Sequence, residues 1–159
     1  MRYRINVQID EAFAGEVEPR LIRAAARAAL DYEAAPSPGE LTIALTDDQA
    51  LHHLNRDYLG YDQATDVLSF PAGESDPESQ SHYLGDIAIS FERALAQAQA
   101  GRHPAAAEIQ LLVVHGVLHL LGHDHAQPDE KKRMWAAQTA ILRQLKAPIT
   151  GPANLGSIY

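Results

Sequence analysis

Cysteine is absent from the 159 residues. That removes disulfides and thiolate metal ligands together, so any bound metal has to be held by His, Asp or Glu. A cysteine-free chain suits a reducing compartment. The first ten residues have no apolar stretch of the kind a signal peptide needs. The longest apolar run, Ile109 to Gly122, is interrupted by Gln110, His115 and His119 and falls short of the roughly 20 residues a membrane span requires. A soluble, cytoplasmic protein without membrane attachment is expected. Basic residues are also scarce, 13 Lys and Arg against 21 Asp and Glu for a net charge of −8. This counts against a broad nucleic-acid surface, because affinity for phosphates depends on clustered cations. It leaves room for a local basic groove: Arg20, Arg23 and Arg27 share one side of an early helix, and Lys131, Lys132 and Arg133 follow the histidine-rich segment. Solvated helix faces are the plainer account of both sets.

What is present suffices for a core. With 46% hydrophobic residues the chain fits one compact domain of ordinary size, expected over residues 1–146, with an irregular tail over 147–159. Tyr3, Ile5, Val7 and Ile9 alternate as a first strand. Pro19 suits a first helical position, and the alanine-rich run Arg20 to Tyr32 propagates a helix until Pro36 to Gly39 break it. Leu41, Ile43 and Leu45 predict a second strand, and Thr46-Asp-Asp-Gln49 has the form of a capping box that opens a helix through Leu51 and Leu54. Asp66 to Phe70 and Leu84 to Ser90 predict two more strands, parted by an acidic loop from Ala72 to His82 that is long enough to lie over a cleft. Phe91 to Ala100 reads as a helix stopped by Gly101. Pro104 begins the next, which runs to Leu121 and is apolar on nearly every side, hence central. Pro128 opens a last helix with Met134, Ile141, Leu142 and Leu145 as its packing stripe.

The central helix carries the chemistry. Residues 115 to 125, His-Gly-Val-Leu-His-Leu-Leu-Gly-His-Asp-His, set His115, His119 and His125 at the spacing HxxxHxxGxxH. Four helical residues turn about 40° past a full circle and climb about 6 Å, so His115 and His119 project side by side. Gly122 stands where a left-handed residue often ends a helix, and that turn can swing His125 back toward the same ion. Three neutral imidazoles around one zinc leave an open position, the arrangement of catalytic rather than structural sites. Burial in an apolar helix helps to keep the rings neutral. Zinc peptidases of this spacing have Glu after the first His as their general base. Here that position is Gly116, so the frame argues for metal and against proteolysis. His123 falls on the other side of the turn, as a supporting or surface residue. Asp124 either orients a ligand by accepting its ring N–H or serves the turn.

Leu54-Asn55, Thr65-Asp-Val-Leu-Ser-Phe-Pro71, Leu84-Gly-Asp-Ile87 and the histidine run, in this order, resemble the YbeY family of bacterial endoribonucleases that act in ribosomal RNA maturation. The resemblance extends from about Leu41 to Leu145; residues 1–40 are compatible with it but carry little signature. It implies an α+β fold, a small mixed four-stranded sheet flanked by helices, with a zincin-like metal helix in the core and the metal at the end of a cleft. It implies the same three zinc ligands that the spacing singles out. It further implies a single-strand-specific ribonuclease working on ribosomal RNA, notably at the 3′ end of the small-subunit RNA, and in ribosome quality control. Partners would be the small ribosomal subunit or its proteins and an assembly GTPase. One residue departs from the family pattern: Leu59 stands where the family usually has Arg, and leucine cannot make a bidentate phosphate contact.

Hydrolysis of a phosphodiester at the metal needs donors or cations for the charge that grows on phosphorus. Ser69, Thr65 and Arg56 are candidates for that role, Arg56 being able to reach from the next helical turn in place of Leu59. Asp86 and Asp66 are candidates for an auxiliary base. Turn formation before a strand and a structural hydrogen bond beside Gly85 are the plainer roles for Asp66 and Asp86. Two other functions fit the same motif: a metal-dependent hydrolase of a different substrate, including a peptidase with a displaced base, and a noncatalytic ribosome-assembly factor with structural zinc.

Overall fold

A computed structural model describes residues 2–72 and 80–147. Most of the expected acidic loop, 73–79, and the expected tail from 148 onward lie outside the described residues. The elements are β1 (Tyr3–Ile9), α1 (Pro19–Tyr32), β2 (Gly39–Thr46), α2 (Asp48–Leu54), β3 (Val67–Pro71), β4 (His82–Ser90), α3 (Phe91–Gly101), α4 (Ala105–Leu120) and α5 (Pro128–Leu145). The four strands form one mixed sheet in the order β1-β2-β4-β3. β1, β2 and β4 run parallel and β3 is the antiparallel edge. This is the α+β, four-stranded architecture that the motifs imply.

Strand alternation divides the sheet into two faces. Tyr3 and Ile5, Leu41, Ile43 and Leu45, Ile87 and Ile89, and Val67 are buried and join the helices in the main core cluster. On this inner face α4 is buried from Ala107 to Val117 without a break. Fully burying side chains of this kind stabilises by about 2 kcal/mol each relative to leaving them in water, so α4 anchors α1, α3 and α5 around itself. The outer face carries Asn6, Gln8, Thr42 and Asp86 and is covered at the β3 end by Leu51 and Leu54, packed on Leu68, Ala88 and Phe70.

Helix ends depart from the expected details in two places. The capping residue of α2 is Asp47, whose carboxylate accepts the Ala50 N–H at 2.8 Å. Thr46 is still in β2, paired with Ser90, so its backbone is committed to the ladder. In α3, Gly101 is the last helical residue, and Arg102 takes the left-handed conformation at φ 58°. A π-turn over Asn55–Leu59, ended by left-handed Gly60, had no counterpart in the periodicity; it lifts Tyr58 against Phe70, with ring centroids 5.7 Å apart.

A buried His–Glu hydrogen bond ties the start of α4 to the turn before it. His103 Nε2 meets Glu108 Oε1, with both side chains almost wholly removed from solvent. Burial pushes the Glu108 carboxyl up, and His103 opposes that shift. His103→Ala should lower unfolding free energy by about 3 kcal/mol at neutral pH, because it leaves a buried carboxyl without its partner. A carboxyl with a raised folded pKa favours folding most below its unfolded pKa of 4.5 and loses that advantage as pH rises through the folded value. The deficit of the variant should therefore shrink on acidification. Urea titrations of both proteins at pH 7 and pH 5 check this; an equal deficit at both pH values counts against the pair.

Candidate metal centre

Helix α4 meets the sheet at Gly116. A Cβ there would lie 2.9 Å from Ile87 Cγ2 on β4, closer than side chains tolerate, and the Gly116 carbonyl accepts the Ser69 hydroxyl of β3 at 3.1 Å. Position 116 thus faces the sheet at van der Waals distance. A glutamate has no room there, which is a packing reason for the missing peptidase base. With that face against β4, neighbouring His115 turns toward α5, and His119 follows one turn later.

The helix ends as its glycine signals. Gly122 has φ +100°, and the His123 N–H returns to the Leu118 carbonyl at 2.9 Å. The turn brings His125 back, so that His115, His119 and His125 each offer a ligand atom within 4.8 Å of the others. Ring centroids are 4.7 Å apart for His115 and His119, 5.2 Å for His119 and His125, and 5.7 Å for His115 and His125. His115 is fully buried and the other two are half-buried, so the trio grades from a dry floor to an open rim. All three Nε2 atoms are buried, and that of His115 meets no hydrogen-bonding group among the described residues.

The environment prepares His115 for a cation. Gln138 Oε1 of α5 accepts from Nδ1 at 2.9 Å; an amide oxygen can only accept, so the proton stays on Nδ1 and the lone pair on Nε2. Burial, with smaller contributions from His119 and His125, pushes the pKa of His115 down to about 3. A neutral imidazole with a dry, unoccupied lone pair, beside two others, is the donor set zinc takes. The indole of Trp135 packs edge-on against both His115 and His125, at 6.0 and 5.9 Å between centroids.

Beside His119 lies a crevice of about 110 Å³ lined by Leu59, Val67, Leu68, Ser69 and Pro71. Of the polar helpers expected from sequence, Ser69 is the one the fold brings to this crevice. Asp86 lies on the other face of the sheet: Gly85 and Ile87 approach α4, and the carboxylate between them accepts from the Tyr83 hydroxyl. Asp66 is buried, accepting from Val67 N at 2.8 Å and from Gln97 Nε2 of α3 at 3.0 Å, and burial pushes its pKa up. Thr65 donates to Asp66. Arg56 is exposed and paired with Asp57 at 3.0 Å. Asp124 accepts the backbone N–H of His125 at 2.7 Å, which is the turn role, and His123 pairs with Glu33 at the end of α1.

Gln138 and Trp135 were not singled out from sequence. The signal for Gln138 was there: it interrupts the stripe Met134, Ile141, Leu145 at a core position, where an uncharged polar side chain needs a specific partner.

A metal helix with two histidines one turn apart, a third beyond a glycine turn, and an antiparallel edge strand at its side define a zincin-like protein on a small α+β frame. Residues 5–146 match the family model described as Endoribonuclease YbeY. Proteins named endoribonuclease YbeY from Chloroflexus aurantiacus, Roseiflexus sp. and Halalkalibacterium halodurans are 46%, 42% and 40% identical to it. These alignments cover 93%, 89% and 87% of this chain and 99%, 92% and 95% of the relatives. The chain belongs to the YbeY endoribonuclease family. A solution structure of a Thermotoga maritima protein shares the fold with a TM-score of 0.57 at 22% identity, over 94% of this chain and 97% of that one.

Two outcomes are expected at this centre. Gln138→Ala should fold and bind zinc about 10- to 100-fold more weakly, since the ring it orients is freed; a competition titration with a chromophoric chelator measures this, and unchanged affinity removes Gln138 from the site. In metal-free protein, the unfolded chain protonates His115 below its ordinary 6.5 while the folded one resists until about 3. Stability from this group is therefore complete above pH 6.5 and lost as pH falls, at about 1.4 kcal/mol per unit. Urea midpoints of chelator-treated protein at pH 7 and 5 should separate accordingly, and less so in His115→Gln.

Proposed function

We propose that the chain is a zinc-dependent endoribonuclease that cuts single-stranded ribosomal RNA, notably in maturation of the 3′ end of the small-subunit RNA, and acts in ribosome quality control. Residues 1–146 form its catalytic unit. The small ribosomal subunit or its proteins and an assembly GTPase are its partners, and the cytoplasm is its place. The observation that carries this reading is the histidine trio, with ring nitrogens within 4.8 Å of one another, opening on a crevice lined among the described residues by Leu59, Ser69 and Pro71 and by no carboxylate. Family membership supports a nuclease. Among the described residues, no helix is long and apolar enough to cross a membrane.

His115, His119 and His125 would hold zinc, one ion. When bound, zinc supplies a Lewis acid for water and for the phosphoryl group. The protein's part is positioning. Gln138 fixes the tautomer of the deepest ligand, and Trp135 closes the side of the trio against water. Ser69 stands beside His119 on the edge strand; rotation of its hydroxyl away from the Gly116 carbonyl redirects the donor toward a phosphoryl oxygen, where charge grows during cleavage. Leu59 borders the same crevice and supplies no such donor.

A noncatalytic factor with structural zinc predicts a different behaviour of His119, the half-buried ligand at the rim. His119→Ala should remain folded, keep its affinity for a precursor-rRNA fragment within about threefold, and lose cleavage by at least about 100-fold, the scale expected for losing a metal's electrostatic contribution. Joint loss of melting temperature and RNA binding would favour the structural role. Leu59→Arg should lower KM for RNA by about 10-fold, equivalent to one charge-assisted phosphate contact of about 1.4 kcal/mol. Steady-state cleavage of a labelled single strand reads this out, and an unchanged KM excludes phosphate contact at that position.

A further inference from the structure

Four arginines converge on a groove of about 420 Å³ that is separate from the metal centre: Arg2 and Arg4 from the start of β1, Arg23 and Arg27 from α1. In a chain with 13 basic residues and a net charge of −8, this is a local concentration of one sign. Arg20, Arg56 and Arg93 each lie against a carboxylate. The four in the groove form no ion pair among the described residues. Glu40 also lines the groove, but its carboxylate accepts from Asn6 Nδ2 at 2.8 Å. Arg23 is held in place by donating to the Ile5 carbonyl at 3.3 Å, and Arg2 lies over the Tyr3 ring at 5.9 Å. Neighbouring guanidinium groups repel one another, and an anion with regularly spaced charges relieves that repulsion.

The topology says which anion can use both sites. Tyr3 pairs with Gly39, and Gly39 with His82, so the groove lies where the three parallel strands begin. α4 runs against β4 in the opposite sense, Gly116 over Ile87 and then Leu120 over Gly85, so its histidine end lies at the same end of the sheet. Groove and crevice are at opposite edges, β1 and β3, three strand spacings or about 14 Å apart. A free phosphate cannot bridge that; a polyanionic strand can.

We propose that this arginine groove binds the phosphodiester backbone of the same RNA strand whose cleavage occurs at the histidine crevice, several nucleotides from the bond that is cut. The inference rests on the ribonuclease reading for the identity of the strand. Arginines from two elements in a concave site grip phosphates without reading bases, so the groove adds affinity and not sequence choice.

The test compares the full chain with R2Q/R4Q/R27Q, with lysine at the same three positions, and with a control, R102Q/K132Q/R143Q, that makes an equal charge change at exposed sites elsewhere. Arg23 is left intact because of its backbone contact. The probe is a labelled single-stranded RNA of about 20 nucleotides, followed by anisotropy over a salt series, with cleavage by the zinc-loaded proteins measured in parallel. The groove variant should bind about 10-fold more weakly than the control, and its slope of log K against log salt should be shallower by about two, at about 0.7 per lost phosphate contact. The lysine variant should keep most of that slope. Equal affinities and slopes for groove and control variants overturn the proposal. RNA bound through the groove yet uncut by the wild type sinks the nuclease reading and leaves the groove standing. RNA cut with no difference between the two variants sinks the groove alone.

Discussion

The contact between Gly116 and Ile87 sets the geometry of everything chemical in this protein. Because a backbone without a side chain can lie directly on β4, α4 sits deep enough for its carbonyl to accept from Ser69 on the edge strand. The rotational phase of the helix follows from that contact. With position 116 against the sheet, position 115 is directed to α5, where Gln138 waits in the core, and position 119 reaches the crevice beside β3. A bulkier residue at 116 would push the helix off the sheet or rotate it, and the ligands would no longer converge.

The same burial that stabilises α4 shapes the metal chemistry. A protonated imidazole is costly at the floor occupied by His115, so the ring stays neutral over the physiological range and its lone pair is available. Half-burial of His119 and His125 leaves the other side of the trio accessible to a substrate. The missing glutamate of zinc peptidases is explained by space as well as by family: its position is pressed against Ile87. A phosphodiester asks less of a protein base than an amide does when a metal and positioned donors share the charge, and a glycine at position 116 is compatible with that chemistry.

Electrostatics on the surface fit a protein that meets RNA locally. The net charge is unfavourable for polyanions at long range, so affinity has to come from short-range, arranged cations. Arg56, paired with Asp57, and Lys131, whose ammonium lies 5.5 Å from the Trp135 ring, are engaged with neighbours. The cluster at the start of β1 is where arginine remains available in number.

Much of this was legible in the order of residues. The four strands and the five α-helices follow from local signals, among them alternation in β1 and β2, proline at the first turns of α1 and α5, an uninterrupted apolar α4, and Gly122 at its end. The convergence of three histidines is a local matter too, since a helical turn and one glycine turn bring them together within eleven residues. Local signals fail where a residue's role is set by something distant in the chain. Asp86 and Asp66 looked alike as carboxylates near motifs, yet strand alternation sends one to the far face of the sheet and burial ties the other to Gln97. Arg23 and Arg27 stand out on one side of α1 in the sequence, but Arg2 and Arg4 join them only once parallel pairing of β1 with β2 and the packing of α1 set all four in one groove. Gln138 belongs to His115 only because α4 and α5 pack side by side. Helical periodicity and turn chemistry act over a few residues and are written in the sequence. Which side chains face each other across helices and strands depends on how nonlocal surfaces bury apolar area together, and the folded structure alone decides it.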